Sequence, residues 1–255
     1  MSKRGLCPVC RTPSALLTDE DVTPKWTRSI LAERLPNPVV RPEKTIVRIC
    51  ADCNAALNRS FEIPCRSIVE ALIRGAKELD LSRDEMTLIA AWLSKTTLVR
   101  IVGDPVLELP PESTASAREA LVNLMRDGMP GPTISVRIAY YDQAFEHPTR
   151  LPLPPPRPFA IPPRVKGPRN INANPSLGYL KWEFLLSLEN DPATIEPLAR
   201  VEADADRLLR VWPRSGEQES VSWPPPVAPN TEAVMAHRAA WRVGASETYF
   251  EKAWR

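Results

Sequence analysis

Cys7-Pro8-Val9-Cys10 and Cys50-Ala51-Asp52-Cys53-Asn54 are the two stretches on which the fold turns. Each holds two cysteines separated by two residues. That spacing lets both thiolates reach one ion from a tight turn, and two such turns complete a tetrahedral shell of four sulfurs. A soft shell of this kind suits zinc or an iron–sulfur cluster. Zinc is the expected ion, because nothing else in the chain points to electron transfer. Two redox-active dithiols are the alternative, but no thioredoxin-like alternation of strands and helices surrounds either pair. Of the five cysteines, Cys65 is left over beside Pro64 at an expected helix start, and reads as a partly buried free thiol.

The 39 residues between the pairs exceed the gap of a compact zinc ribbon and leave room for an inserted hairpin or helix. Without metal such a module is expected to be largely unfolded, since ligand gathering and folding are linked. Working outward, 255 residues suffice for one large domain or two small ones. The net charge is +2 and the sequence pI about 8.3, so nucleic-acid contact would rest on local patches rather than a whole-molecule field. No run of 18 or more apolar residues is present, so no membrane span is expected. The start shows no apolar signal segment, so the cytoplasm is the expected compartment, and there clustered cysteines favour metal over disulfides. Proline is abundant, 29 residues against 9 glycines, so much of the chain is expected to run as stiff, extended connections.

Between the pairs lies Thr18-Asp19-Glu20-Asp21-Val22-Thr23-Pro24-Lys25-Trp26, and after the second comes Asn54-Ala55-Ala56-Leu57-Asn58. Together they resemble a branch of the HNH nuclease superfamily, with its treble-clef or ββα-metal fold. In that branch CxxC is followed by an acidic-His-Val-x-Pro-Lys-Trp segment and then by CxxCN. Phe61-Glu62, Ala90-Ala91-Trp92-Leu93-Ser94-Lys95-Thr96-Thr97-Leu98-Val99, Arg210-Val211-Trp212-Pro213 and Val221-Ser222-Trp223-Pro224-Pro225-Pro226 also fit the family's pattern.

The resemblance implies Cys7, Cys10, Cys50 and Cys53 as structural zinc ligands. It matches Glu20 and Asn54 to positions that hold a divalent metal, Mg²⁺ or Mn²⁺, and Asp21 to the general-base position. The family's base is a histidine, with a reference pKa of about 6.5, whereas aspartate at about 3.9 is a weak base. The chain's two histidines, His147 and His237, lie far from this motif in sequence. Two outcomes follow: a carboxylate-rich site at Glu20, Asp21 and Asn54 with altered hydrolysis, or a dead site whose fold survives as a binding module. The second is the reading favoured. Taken singly, these residues also read as a solvated acidic turn, a packing tryptophan and a helix-capping asparagine.

Beyond the module, periodicity predicts a helix over 64–80. A capping box at Ser82-Arg83-Asp84-Glu85 opens a second, packed antiparallel to the first and burying one side. A third is expected from Ser113 to Asp127, closed by Gly128. Ile134 to Tyr140 reads as a half-buried strand. Leu177 to Leu188 reads as another, with a hairpin partner at 206–212; a short strand at 219–223 and a terminal helix from Asn230 to Trp241 follow. Residues 148–168 hold nine prolines and read as a stiff strap. The expected fold is α+β: a zinc module (1–62), a helical segment (63–128), and a proline-rich β-containing region (129–255). Lys3, Arg4, Arg11, Lys25, Arg28 and Arg34 are the candidates to meet phosphates, of DNA more than RNA. The tryptophans at 182, 212, 223 and 241 are expected to build the C-terminal core rather than a base-stacking platform. A structural component meeting a protein partner through the C-terminal region is the remaining alternative.

Overall fold

The computed structural model describes residues 4–13, 15–34, 45–104, 107, 109–140, 170–173, 176–188, 209–213 and 219–224. The proline strap, both histidines, the terminal helix with Trp241, and Lys3 lie outside the described residues.

The first cysteine pair sits in the turn between β1 (Arg4–Gly5) and β2 (Ala15–Asp21), which pair antiparallel. The chain then inserts α1 (Lys25–Arg34) and returns as β3 (Ile46–Cys50), antiparallel to β2 from Leu17 opposite Cys50 to Asp21 opposite Ile46. The second cysteine pair opens α2 (Ala51–Leu57) immediately afterwards. α2 runs through a π-helical turn (Asn58–Glu62) into α3 (Ile63–Arg74), with Pro64 in the first turn. Pro64 has no N–H to donate, and the chain meets it directly after the π-helical turn, where Ile63 N–H bonds the Asn58 carbonyl five residues back.

The helix expected over 64–80 thus ends at Arg74. Gly75 adopts φ 81°, and Ala76 N–H closes back on the Ala71 carbonyl at 2.9 Å. A left-handed glycine cap of this kind stops a helix whatever the apolar spacing beyond it. Leu79 instead belongs to β4 (Leu79–Ser82). α4 (Arg83–Gly103) begins at the predicted capping box, and both reciprocal bonds between Ser82 and Glu85 are formed. α4 is buried all round rather than on one side, because α3, α5 (Pro111–Asp127) and several strands surround it. It is long and apolar enough to cross a membrane, but 78 % of that apolar stretch is buried inside the fold, as in a core helix. α5 ends at Gly128, φ 72°, as its sequence predicts.

The larger sheet is built on β5 (Ile134–Tyr140) and β8 (Leu180–Ser187), antiparallel in register from Ile134–Leu186 to Tyr140–Leu180. β6 (Asn170–Ala173) and β7 (Ser176–Leu177) pair with β8. β9 (Leu209–Trp212) pairs with β5, not with β8 as the sequence suggests. The reason is edge occupancy: β5 takes one side of β8, and β6 and β7 the other. β5 is buried on both faces, not half-buried; Arg137 is sheltered by pairing with Glu183 at 3.2 Å across the sheet. β10 (Ser220–Trp223) pairs with β4, which ties the far end of the chain to the start of α4.

One buried apolar cluster extends from Cys7 to Trp223. Trp92 on α4 lies 5.9 Å from Trp26 and 6.5 Å from Trp182, ring centre to ring centre. Trp182 and Trp223 are buried, so neither offers a face for stacking a base; Trp212 is partly buried and donates to the Gly131 carbonyl at 3.2 Å.

Candidate metal centre

Cys7 and Cys10 are presented by a tight turn in which Arg11 N–H donates to the Cys7 carbonyl at 3.0 Å and Cys7 N–H to the Thr12 carbonyl at 3.1 Å. Cys50 ends β3 and caps α2, with its sulfur accepting from Cys53 N–H at 3.4 Å. Cys50 N–H in turn donates to the Cys7 sulfur at 3.4 Å, which bridges the two turns. All four sulfurs lie within 4.8 Å of one another, and Cys10 and Cys50 are 3.7 Å apart. A tetrahedral shell with Zn–S bonds of about 2.3 Å requires sulfurs about 3.8 Å apart, whereas a disulfide requires about 2.05 Å. The four cysteines are free, and their geometry fits a zinc-sized ion.

Protonation chemistry agrees with that fit. Burial pushes the Cys50 and Cys53 thiols up, because it disfavours their charged form. Burial acts the same way on Cys10, but hydrogen bonds from Thr12 and the neighbouring cysteines outweigh it and bring Cys10 down to about 6. A bound ion would supply positive charge at these four sulfurs and favour their deprotonated form. Cys65 takes no part: its buried thiol donates to the Phe61 carbonyl at 2.7 Å.

The acidic segment behaves differently from a cation cup. Glu20 is buried, and its Oε1 accepts from Lys95 Nζ at 2.6 Å. Lys95 is fully buried in the middle of α4 and donates equally to Glu62 Oε1, also at 2.6 Å. Burial alone would lower the Lys95 ammonium, but the carboxylates of Glu20 and Glu62 outweigh it and hold the group above its ordinary value. Glu20 is raised by burial, with Lys95 opposing. Asp21, one residue on along β2, follows the alternation of a strand onto the opposite face, where Arg28 binds its Oδ2 at 2.7 Å. Asn54 reaches back from α2 to Thr18 Oγ1 at 3.1 Å and to the Asp19 carbonyl at 3.5 Å.

The structure therefore brings Glu20 and Asn54 to the α2-facing side of β2 and leaves Asp21 on the other. Among the described residues the four cysteines are the one group of three or more His, Cys, Asp or Glu side chains gathered closely enough to share an ion. With Glu20 engaged by Lys95 and Asp21 by Arg28, the acidic residues do not fit a hard divalent cation. Lys95 lies in a matched stretch of sequence that assigns it no task. Its signal was legible: a lone lysine inside the otherwise uncharged run Leu88 to Val99 must find carboxylates or stay out of the core.

Of the basic candidates, Arg4, Arg11 and Lys25 are exposed, whereas Arg28 is held by Asp21. Arg34 ends α1, with its side chain outside the described residues. Trp26 packs on Trp92, and the Arg66 guanidinium lies over its ring at 5.8 Å. No protein-family model, curated protein or solved structure matches this chain.

Proposed function

We propose that the chain is a zinc-stabilised nucleic-acid-binding protein built on an HNH-nuclease-like scaffold that has lost hydrolysis. What supports the scaffold is the order of its parts: a cysteine turn, the antiparallel β2–β3 pair, and a helix that opens on the second cysteine pair. The observation that carries the reading is the Lys95 ammonium seated 2.6 Å from Glu20, the carboxylate matched to the metal-holding position. An internal lysine already neutralises that group, and Arg28 neutralises Asp21. Binding, unlike hydrolysis, needs only the fold and exposed cations such as Arg4, Arg11 and Lys25 to meet phosphates.

Plasmid nicking with Mg²⁺ or Mn²⁺, run beside salt-dependent binding to duplex DNA and to RNA, tests this reading. The expected outcome is binding that weakens steeply with salt and no nicking by the wild type. Nicking by the wild type that disappears in Asp21→Ala identifies an active metal-dependent endonuclease instead. Absence of any nucleic-acid binding leaves the structural or protein-interaction role.

A further inference from the structure

Arg11 occupies a backbone conformation that an arginine rarely takes. Its φ is 62°, in the left-handed region that favours glycine, because the chain must turn back there to bring the Thr12 carbonyl to Cys7 N–H at 3.1 Å. The side chain held there is exposed. A second guanidinium reaches the same turn from far along the chain. Arg118 on α5 is half-buried, and its Nε donates to the Pro8 carbonyl at 2.6 Å. Burial lowers Arg118 from its ordinary value, and the charge of Arg11 lowers it further. Among the described residues neither guanidinium has a carboxylate partner. Two like charges thus converge on one five-residue turn, one of them in a conformation suited to glycine.

We infer that Arg11 and Arg118 form a phosphate-binding clamp on the zinc knuckle, with a phosphodiester of nucleic acid as its ligand. A fork of guanidinium donors matches phosphate oxygens, and Arg118 is already oriented by its bond to Pro8. The zinc shell then serves the ligand indirectly, by fixing the turn from which Arg11 projects. The inference rests on the nucleic-acid reading above and adds to it a residue from α5, which no pattern in the N-terminal module could reveal.

Arg11→Gly separates binding from folding, since it removes a guanidinium and relieves the backbone. Zinc content and melting temperature are expected to hold or rise. The slope of log affinity for a short DNA duplex against log salt is expected to become shallower by about 1. Arg118→Gln is expected to change the slope by a similar amount. Unchanged slopes and affinities in both variants, with zinc retained, overturn the clamp while leaving nucleic-acid binding by the protein intact. If the wild type binds no duplex, the functional reading falls, and titration with inorganic phosphate decides the clamp alone. Shifts of the Arg11 and Arg118 Nε–H resonances then sustain an anion site, and still resonances overturn it.

Discussion

Lys95 concentrates the electrostatics of the interior at a single nitrogen. Its ammonium is fully buried between Glu20 and Glu62, both at 2.6 Å, so removing it leaves two largely sheltered carboxylates without their shared cation. Breaking a buried ion pair from one side typically costs about 3–5 kcal/mol, and Lys95→Met is expected to lose that much in urea unfolding. Adding Glu20→Gln should recover part of it, which a double-mutant cycle would read as coupling. The pH dependence has a definite sign. Lys95 is raised in the folded state, so its contribution is complete below the unfolded value of about 10.4 and is lost as pH climbs through the higher native value. Glu20 is also raised, so the folded chain takes up protons in the window above about 4.3, and stability attributable to Glu20 increases as pH falls. Without the ammonium that window widens. Lys95→Met should therefore regain stability between about pH 8 and pH 5 more than the wild type does. An equal deficit at both pH values would remove the charge explanation.

At the scale of elements, two glycines govern one junction. Gly75 ends α3 at φ 81°, and a Cβ there would lie 2.5 Å from the Tyr179 ring. Gly178, at φ 54° between β7 and β8, would place a Cβ 2.5 Å from the Ile73 carbonyl oxygen. Tyr179 N–H donates to that same carbonyl at 3.2 Å, so the end of α3 and the β7–β8 turn meet backbone to backbone. Gly178→Ala should cost about 2 kcal/mol or more, since it adds left-handed strain to a steric clash that backbone cannot yield to. Ser82→Ala, which opens the α4 capping box, should cost about 1 kcal/mol. Urea unfolding of the two variants checks the order. This junction also shows why the sequence could be read only in part. The capping box, the Gly128 stop and both cysteine turns are local patterns, and each lies where spacing predicts. The Gly75 stop was hidden because apolar residues recur at helical spacing as far as Leu79. The partner of β8 was hidden because strand pairing depends on which edges other strands already occupy. At the candidate site the four gathered cysteines were legible by their spacing, whereas Lys95 and Arg118 are contacts across 75 and 110 residues.

Across the whole molecule, the four-cysteine module is bound into the core rather than appended to it. Trp26 packs on Trp92, Glu20 pairs with Lys95, and the knuckle carbonyl of Pro8 accepts from Arg118. α4 passes the connection on: Trp92 meets Trp182, whose Nε1 donates to Thr97 Oγ1 at 3.3 Å. Binding of structural zinc in small modules is worth about 10–16 kcal/mol near neutral pH, which matches or exceeds the total stability of a typical domain, about 5–15 kcal/mol. Stripping the ion should therefore do more than loosen a knuckle. It should free Glu20 from Lys95, leave a buried ammonium with one partner, and separate Trp26 from Trp92. Chelation followed by near-ultraviolet circular dichroism reads the tryptophan packing, and zinc release is measured in parallel with a coloured chelator. The expected result is one ion per chain, and loss of the aromatic signal in step with its departure. A chain that gives up its zinc while its tryptophan signal persists would show a module folding apart from the core, and the joint role of Lys95 and Trp92 would fall with it.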